Sequence, residues 1–440
     1  MNESETPLPE NWAVRFFTIF TGQAFSIFGS SLVQFALIWY LTQETGSATV
    51  LATASLFGLL PQILLGPIAG TVVDRGSRRM IMIVSDSLIA ISTLLLVYLF
   101  WSGAAEIWHI YLVLALRSAG GAFHYPAMSS STSLMVPKKH LSRVAGANQT
   151  LQGLVSIVAP PVGALLVAAM TTQNILMIDV FTAILGITPL LFFTIPQPPR
   201  RVEVASAPQA SFMQDLNAGF KYMVSWPGLL MLGLMAAMLN FLVGPTSAIM
   251  PLLVTKYFKL GALELGSLDS FFGVGMIAGG IILSVWGGFK KKIVTSLSGI
   301  IMFSFAILGI AAAPADKFWI VIVSMAVIGF MMPIVNGPIQ ALFQSVVEPD
   351  MQGRVLSLVS SVAQAMMPLG LIIAGPVTDA FGYQTWFWVA GTLNLVIGFS
   401  GLFVPAIMNI ESNRKVQTNE ASTAPELFPE QEAPTPLPGD

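Results

Sequence analysis

The sequence predicts an all-α membrane protein with twelve transmembrane helices in two six-helix halves. The first observation is composition: 55% of the 440 residues are hydrophobic and only 10% are charged, whereas about 25% of the residues of a soluble domain are charged. The second is the length of the apolar runs, about 20 residues or more, which suits helices rather than the shorter strands of barrels. The third is the distribution of lysine and arginine, which cluster in alternate loops.

Twelve apolar segments are predicted to cross the membrane, six on either side of a polar stretch. In the first half they fall near residues 13–41, 49–73, 80–101, 108–135, 144–170 and 174–195. In the second half they fall near residues 228–255, 265–288, 293–313, 318–344, 355–379 and 384–408. The predicted N-terminal half therefore spans residues 13–195, and the predicted C-terminal half spans residues 228–408.

Three polar segments complete the chain. Residues 1–12 predict a cytoplasmic N-terminus without the basic start of a signal peptide. Residues 196–227 predict a cytoplasmic linker, and apolar residues at helical spacing between 212 and 223 predict an amphipathic helix on the membrane surface. Residues 409–440 are rich in Pro, Glu, Thr and Ala, which predicts a disordered cytoplasmic tail.

Basic residues predict the orientation of the chain. Lys256, Lys259 and Lys317 fall in loops on one side of the membrane, and Arg117 lies within a span. The other lysines and arginines fall on the other side, which the positive-inside rule assigns to the cytoplasm. Both termini are therefore expected in the cytoplasm, which requires an even number of spans.

The loop after the second span carries the motif Gly70-Thr71-Val72-Val73-Asp74-Arg75-Gly76-Ser77-Arg78-Arg79. It resembles the signature of the major facilitator superfamily of secondary transporters. The resemblance implies the major facilitator fold, with two pseudo-symmetric six-helix halves and a site between them. It also implies a latch that joins the halves in the outward-facing state, formed by Gly70, Asp74, Arg75, Arg78 and Arg79. The alternative is a charge cluster that only orients the chain.

Weak internal repetition agrees with two related halves. The distance in sequence from Pro126 in span four to Pro137 after that span equals the distance from Pro338 in span ten to Pro349 after that span. A second basic loop, at residues 290–292, stands where the first half carries its charged motif, but it lacks the acid. Duplication explains these matches better than chance does.

Arg117 and Asp179 are ionisable residues within predicted spans four and six. A charge inside a span is costly, so it is usually paired or functional. Their similar depth below the outer surface predicts that they pair, and we consider them candidates for proton coupling. The alternative for Arg117 is a side chain that reaches the outer surface. Asp86 lies nearer the cytoplasmic end of span three, which assigns it to the loop cluster instead.

Span five contains Pro160, Pro161 and Gly163. The stretch resembles a degraded copy of the proline–glycine signature that marks antiporters in this superfamily. Proline and glycine bend and thin a helix, as a gate requires. Because proline kinks occur in many spans, this stretch alone does not establish the direction of transport.

Over residues 12–408 the chain resembles the macrolide-efflux, or Mef-type, branch of the superfamily. The matching stretches include Gly22-Gln23-Ala24-Phe25-Ser26, Tyr40-Leu41-Thr42, Arg117-Ser118, Ile178-Asp179, Gly287-Gly288-Phe289 and Ala341-Leu342-Phe343-Gln344. This subfamily also contains siderophore exporters and multidrug pumps. The resemblance implies a monomeric, multi-pass antiporter of the bacterial cytoplasmic (inner) membrane that exports lipophilic drugs, macrolides first, by alternating access.

Neutral amides near the middle of several spans are candidate substrate contacts. Together with one methionine, they are Gln23, Gln34, Asn240, Met332, Asn336, Gln340 and Gln364. Amides and flexible methionines suit a large, mostly apolar ligand that is bound loosely. They favour a lipophilic drug over a sugar or a phosphate, which would require more charge. The alternative for each is a helix–helix contact.

The sequence also excludes several classes of site. It has no cysteine, three histidines without a metal-ligand cluster, and no Gly-rich loop ending in Lys-Ser/Thr. We therefore expect no metal, no cofactor and no ATP site, with the proton gradient as the energy source. The expected partners are a lipophilic small molecule, protons and the lipid bilayer, and not nucleic acid. The alternatives are export of a siderophore or other metabolite and, in a different class, a membrane enzyme or a non-transporting sensor.

Overall fold

The computed structural model describes residues 11–137, 140–195 and 212–411. The predicted N-terminal segment before residue 11, the first part of the predicted linker and the predicted tail after residue 411 lie outside the described residues. So do the side chains of residues 212–218, which include part of the predicted amphipathic face. In the rest of the chain the regular structure is helical.

The first half consists of six long helices joined by short turns. They are α1 (Trp12–Thr45), α2 (Ala48–Arg75), α3 (Arg78–Trp101), α4 (Ile107–Met135), α5 (Leu141–Ala169) and α6 (Thr172–Phe192). Serine caps begin two of them: the side chains of Ser47 and Ser77 accept hydrogen bonds from backbone N–H groups in the first turns of α2 and α3.

The second half repeats this arrangement after a short linker helix. The helices are α7 (Phe212–Ser225), α8 (Pro227–Leu252), α9 (Ala262–Trp286), α10 (Lys292–Ala312), α11 (Trp319–Val346), α12 (Pro349–Phe381), α13 (Thr385–Phe403) and α14 (Pro405–Met408). A π-helical turn, Leu253–Tyr257, extends α8.

Eleven helices in the described part of the chain are long and apolar enough to cross a membrane. Helix α4 has 29 residues, as long as its neighbours, but it does not belong to that set. Its polar residues, which include Arg117, His124 and the serines at 129–131, lower its hydropathy. It packs against α2 and α3, so its polar side chains can be satisfied by protein rather than by lipid.

The packing of the second half matches that of the first. Helix α1 packs against α5 and α6, as α8 packs against α12 and α13. Helix α4 packs against α2 and α3, as α11 packs against α9 and α10. Helix α3 packs against α6, as α10 packs against α13. The six helices of one half therefore correspond in order to the six of the other, in agreement with the internal repetition of the sequence.

We call the end of the bundle where α2 joins α3 the linker end, and the end where α1 joins α2 the distal end. The halves meet through α2 with α12 and α5 with α9. One large hydrophobic cluster contains buried residues of both halves, among them Leu51 of α2, Leu252 of α8 and Leu268 of α9. The two clusters nearest the linker end each contain residues of a single half.

Glycines also show that the two halves are in contact at one end and separated at the other. A Cβ on Gly375 of α12 would lie 2.8 Å from the Cα of Thr49, so the two halves are in contact near the distal end. Farther along α2, Gly58, Gly66 and Gly70 have no neighbouring atom within 4 Å of an added Cβ. The bundle is therefore closed at the distal end and open toward the linker end.

Candidate functional site

A polar cavity of about 400 Å³ lies inside the first half. Its lining includes Gln34 of α1, Gln62 of α2, Asp86 of α3, and Arg117 and His124 of α4. Polar and ionisable residues within membrane helices are rare because each is costly to bury in lipid. Their concentration around one cavity makes it the candidate functional site.

Arg117 and Asp179 form a buried ion pair beside this cavity. The Nη1 of Arg117 lies 2.5 Å from Oδ2 of Asp179, and the two side chains are 9% and 1% exposed. The hydroxyl of Thr93 accepts from Arg117 at 2.6 Å and donates to Asp179 at 3.1 Å. The hydroxyl of Ser30 donates to Oδ1 of Asp179 at 3.1 Å. The predicted pairing is confirmed, and the alternative of an arginine at the outer surface is wrong.

This ion pair joins four helices of the first half. Ser30 belongs to α1, Thr93 to α3, Arg117 to α4 and Asp179 to α6. Each charge is satisfied by its partner and by hydroxyl groups, which is the condition for a stable buried pair. The contact therefore fixes the relative positions of these helices, in addition to any role in proton coupling.

A second polar network lies in the same half, nearer the linker end than the ion pair. His124 Nε2 lies 2.8 Å from Oε1 of Gln23 and 3.3 Å from Oδ1 of Asp86. The Nε2 amide of Gln23 donates to Oδ2 of Asp86 at 3.0 Å and to the carbonyl oxygen of Gly186 at 3.2 Å. Asp86 therefore belongs to this network, and its assignment to the loop cluster is wrong. Depth along α3 suggested the loop, but the rotation of α1 and α4 places their polar side chains against it.

Gln23 differs from the other predicted substrate contacts in its surroundings. Its side chain is fully buried and holds Asp86 and His124 in place. His124, which lines the cavity and contacts Asp86, was not predicted as a candidate site residue. A histidine within a span, one helix away from an acid at similar depth, was the available signal.

The other candidate substrate contacts lie on accessible surfaces. The amides that are exposed are Gln34, Asn240, Asn336, Gln340 and Gln364, and Met332 is half-buried.

Three of these amides bond within their own helix, which argues against the alternative that they join helices. Asn240 donates to the carbonyl oxygen of Ala236 at 2.9 Å, and Asn336 donates to that of Met332 at 3.0 Å. Gln364 donates to a serine hydroxyl one turn away at 3.0 Å. Residues 332, 336 and 340 recur every four residues, so they share one face of α11.

The proline–glycine stretch of α5 lies where the two halves meet. Helix α5 continues through Pro160 and Pro161. The carbonyl oxygen of Pro160 would lie 2.8 Å from a Cβ on Gly266 of α9, in the other half. A Cβ on Gly163 would lie 3.1 Å from the ring of Phe35 in α1. The stretch therefore lies at the interface of the two halves, where a change in their relative position would alter its contacts.

The charged motif divides into two parts. Arg78 donates to the carbonyl oxygen of Ser130 at 3.1 Å. Arg79 donates to the carbonyl oxygens of Leu190 and Leu191, in the last turn of α6, where a cation also complements the helix dipole. These two arginines therefore join α3 to α4 and α6 at the linker end of the first half.

The remaining residues of the motif make no such contacts. Asp74 and Arg75 are exposed, and the structure shows no hydrogen bond or ion pair to either side chain among the described residues. Gly70 faces open space. A latch between the halves is not formed in a bundle that is open at this end.

Asp379 of α12 makes the main polar contact between the halves. Its carboxylate accepts from the backbone N–H of Ala48 at 2.7 Å and of Thr49 at 2.9 Å. It also accepts from the hydroxyls of Ser47 at 2.8 Å and Thr49 at 2.6 Å. A carboxylate is stabilised at the N-terminus of a helix by unpaired N–H groups and by the helix dipole. Asp379 was not predicted from the sequence as a site residue.

Comparison with known proteins identifies the family to which the chain belongs. The model of a family described as "Transmembrane secretion effector" matches residues 6–434. The chain belongs to this family. It is 35% identical over 387 residues to macrolide efflux protein A of Streptococcus pyogenes, covering 88% of this chain and 95% of that protein. It is 27% identical over 406 residues to the multidrug efflux pump Tap of Mycolicibacterium fortuitum, covering 87% of this chain and 94% of that pump.

Solved structures show the same fold. A point mutant of the nucleoside transporter NupG has a TM-score of 0.65 at 15% identity, covering 89% of this chain and 98% of that one. A bacterial homologue of the human lysosomal transporter Spinster, in an inward-facing and unoccupied conformation, has a TM-score of 0.64 at 14% identity, covering 93% and 99%. The protein is therefore a multi-pass bacterial membrane protein with the major facilitator fold, and its relatives are transporters rather than enzymes.

Proposed function

We propose that this protein is a secondary active exporter of lipophilic drugs, macrolides first, that works by proton antiport and alternating access. The observation that carries the proposal is the 35% identity to macrolide efflux protein A over 95% of that protein's length. A match of that extent includes both halves and the space between them, and not only the charged motif.

The exposed surfaces support a large, weakly polar ligand. Asn336 and Gln340 offer amide groups on the same face of α11 as the flexible side chain of Met332. Such a surface provides hydrogen bonds at a few points and adaptable apolar contact elsewhere, which is typical of sites that accept several related ligands.

Alternating access is supported by the asymmetric contacts between the halves. We assign the linker end to the cytoplasm, because most lysines and arginines lie there. The structure then corresponds to the inward-facing state, closed by Asp379 at the distal end. In the outward-facing state the distal contact opens and Asp74 joins the halves at the linker end.

Proton antiport is supported by ionisable residues inside the first half. Arg117, His124, Asp86 and Asp179 lie within or beside one cavity, and intramembrane ionisable residues mark proton or substrate pathways by default. Export would proceed as protons bound from the outer side are released into the cytoplasm in exchange for drug.

The test is drug susceptibility of a pump-deficient bacterium that expresses the chain, across macrolides, dyes and fluoroquinolones. We expect increased resistance to macrolides, and efflux of a fluorescent substrate that stops when a protonophore collapses the gradient. Efflux that continues without the gradient and stops on ATP depletion would refute proton antiport. Unchanged susceptibility to every drug, from a normally inserted protein, would refute drug export.

A broader multidrug range is the second candidate, favoured by the 27% identity to Tap over 94% of that pump. The same panel separates the two: resistance confined to macrolides supports the first, and resistance that extends to dyes and fluoroquinolones supports the second.

A further inference from the structure

The network of Asp86, His124 and Gln23 has the properties of a proton-binding site. Asp86 and His124 both line the polar cavity, with side chains that are 5% and 12% exposed. They are thus held in fixed positions and yet are reachable by water from the cavity. We propose that the proton that drives export binds to the Asp86–His124 pair, and that the Arg117–Asp179 ion pair positions the surrounding helices instead. This inference rests on the proposed antiport.

In this structure the hydrogen-bond partners of His124 indicate which of its ring nitrogens carries a proton. His124 Nε2 faces two acceptors, the amide oxygen of Gln23 and a carboxylate oxygen of Asp86. The orientation of the Gln23 amide is itself determined, because its nitrogen faces Asp86 and the carbonyl oxygen of Gly186, which are both acceptors. Nε2 is therefore a donor, and the exchangeable proton is a second one, on Nδ1 of the ring or on Asp86.

Binding of that proton changes the charge of the network by one unit. Without it, a neutral imidazole donates to a buried carboxylate. With it, the pair becomes an imidazolium beside a carboxylate, or a neutral imidazole beside a carboxylic acid. Imidazole is the side chain that proteins commonly use as a proton shuttle, and the carboxylate beside it offers a second position for the proton.

The Arg117–Asp179 pair is less suited to carry the proton. Arginine keeps its proton at physiological pH, so this pair can respond only through Asp179. Asp179 is 1% exposed and is held by Arg117, Thr93 and Ser30. Protonation there would break a buried ion pair and leave the guanidinium as an uncompensated charge, which is strongly unfavourable.

The surroundings of the network contain few other charges. From α4 and α6 the charged neighbours in the described structure are Arg117 and Asp179, which neutralise each other. From α1 and α2 the polar side chains of the cavity lining are all neutral, namely Ser26, Ser30, Ser31, Gln34 and Gln62. The amide of Gln23, which donates to Asp86, is neutral as well. A proton on the Asp86–His124 pair therefore changes the net charge of this part of the membrane domain.

The network also connects that charge to the arrangement of the helices. Gln23 of α1 links Asp86 of α3 and His124 of α4 to the backbone of Gly186 in α6. A change in charge at the pair alters hydrogen bonds to four helices of one half at once. That is the kind of element through which proton binding can bias the equilibrium between inward-facing and outward-facing states.

The test uses the purified full-length protein in liposomes and compares two modes of transport. One is exchange of labelled for unlabelled drug at equal pH, which needs no net proton movement. The other is uphill drug accumulation driven by a pH gradient. We expect His124→Gln and Asp86→Asn to retain exchange and to lose uphill accumulation. The matched control is His140→Gln, since His140 stacks on Trp12 at the linker end, outside the cavity lining, and should leave both modes unchanged.

The outcomes are distinct. If His124→Gln and Asp86→Asn both keep uphill accumulation at the wild-type level, the pair is not the proton site. If Asp179→Asn alone converts the protein to pure exchange, the proton binds at Asp179 and our assignment is overturned. If the wild-type protein moves no drug in either mode, the proposed export function fails, which is a different result from either of these.

A measurement on the wild-type protein covers the case in which the variants do not fold. The chain has only three histidines, so isotope-labelled imidazole signals can be assigned through the His109→Gln and His140→Gln variants. We expect the His124 signal to shift when a macrolide is added, since antiport couples the drug and the proton through one conformational equilibrium. A His124 signal that is the same with and without the macrolide would contradict the proposal.

Discussion

Asp379 and Thr49 join the two halves of the protein at the distal end. The carboxylate of Asp379 accepts from the backbone N–H of Thr49 at 2.9 Å and from its hydroxyl at 2.6 Å. Helices α2 and α12 run antiparallel and pack against each other, so α12 begins at Pro349 near the linker end, where α2 ends. Asp74 lies there, one residue before the end of α2. Each helix of the pair therefore carries an acid near its C-terminus, at the end where its partner begins.

Replacing Asp379 with asparagine should favour opening of the distal end. The substitution keeps the size of the side chain but removes the charge from its hydrogen bonds to α2. Because Asp379 is exposed to solvent, we expect a loss of about 0.5–1 kcal/mol, or about two- to fivefold in the equilibrium. The readout is the reactivity of a thiol at Ala52→Cys. Ala52 is 4% exposed and packs with Ala248 and Leu371 of the other half. Since the chain has no cysteine, a membrane-impermeant maleimide will label this position alone.

We expect faster labelling in the Asp379→Asn background. The matched control is Asp316→Asn, because Asp316 is an exposed acid in the turn between α10 and α11 at the same end. If Asp379→Asn leaves the labelling rate at the level of this control, the contact does not hold the distal end closed.

Replacing Asp74 with asparagine should have the opposite effect on the same thiol. Asp74 is exposed here, so its loss removes nothing from this state and weakens only the state in which the linker end is closed. We expect slower labelling at Ala52→Cys and a loss of drug resistance, with normal membrane insertion. Normal resistance from a normally expressed Asp74→Asn variant would show that the motif does not act as a latch.

The fold was predictable because lipid imposes one dominant constraint. Backbone groups in hydrocarbon must be satisfied within their own segment, so apolar runs such as residues 293–313 indicate helices, and α10 spans Lys292–Ala312. The helix ends were less predictable, because hydropathy also continues beyond a helix. The last predicted span, residues 384–408, is interrupted at Val404, where α13 ends and Pro405 begins α14.

The candidate site was predictable only in part. Arg117 and Asp179 were identified because two opposite charges in lipid require each other. The contact between His124 and Asp86 was not predicted, since an imidazole can be buried in a membrane at a lower cost than a charged guanidinium. In addition, packing sets the rotation of each helix, and that rotation decides which side chains face each other. Asp379 was missed because its partner lies 330 residues away at Thr49, in a contact that exists only when the distal end is closed.

Removal of either member of the Arg117–Asp179 pair should destabilise the protein. Each single change to alanine leaves a buried charge without its partner, a loss of about 3–5 kcal/mol. The double variant removes both charges, so its loss should be smaller than the sum of the two. The measurement is thermal unfolding of the purified variants in detergent, with Arg75→Ala as the control for loss of an exposed arginine. Strictly additive losses would mean that the two residues do not stabilise each other.

Two adjacent glycines of α9 should respond in opposite ways to alanine. A Cβ on Gly279 would lie 2.0 Å from the carbonyl oxygen of Phe330, whereas a Cβ on Gly280 meets no atom within 4 Å. Helix association in lipid depends on close packing at small residues, and overpacking typically costs about 1–3 kcal/mol. Gly279→Ala must therefore separate α9 from α11 and lower the temperature of unfolding. Gly280→Ala introduces the same methyl group one residue away, where the structure offers space, and should leave that temperature unchanged or raise it. If the two variants unfold at the same temperature, the close approach of α9 to α11 at Gly279 does not contribute to stability.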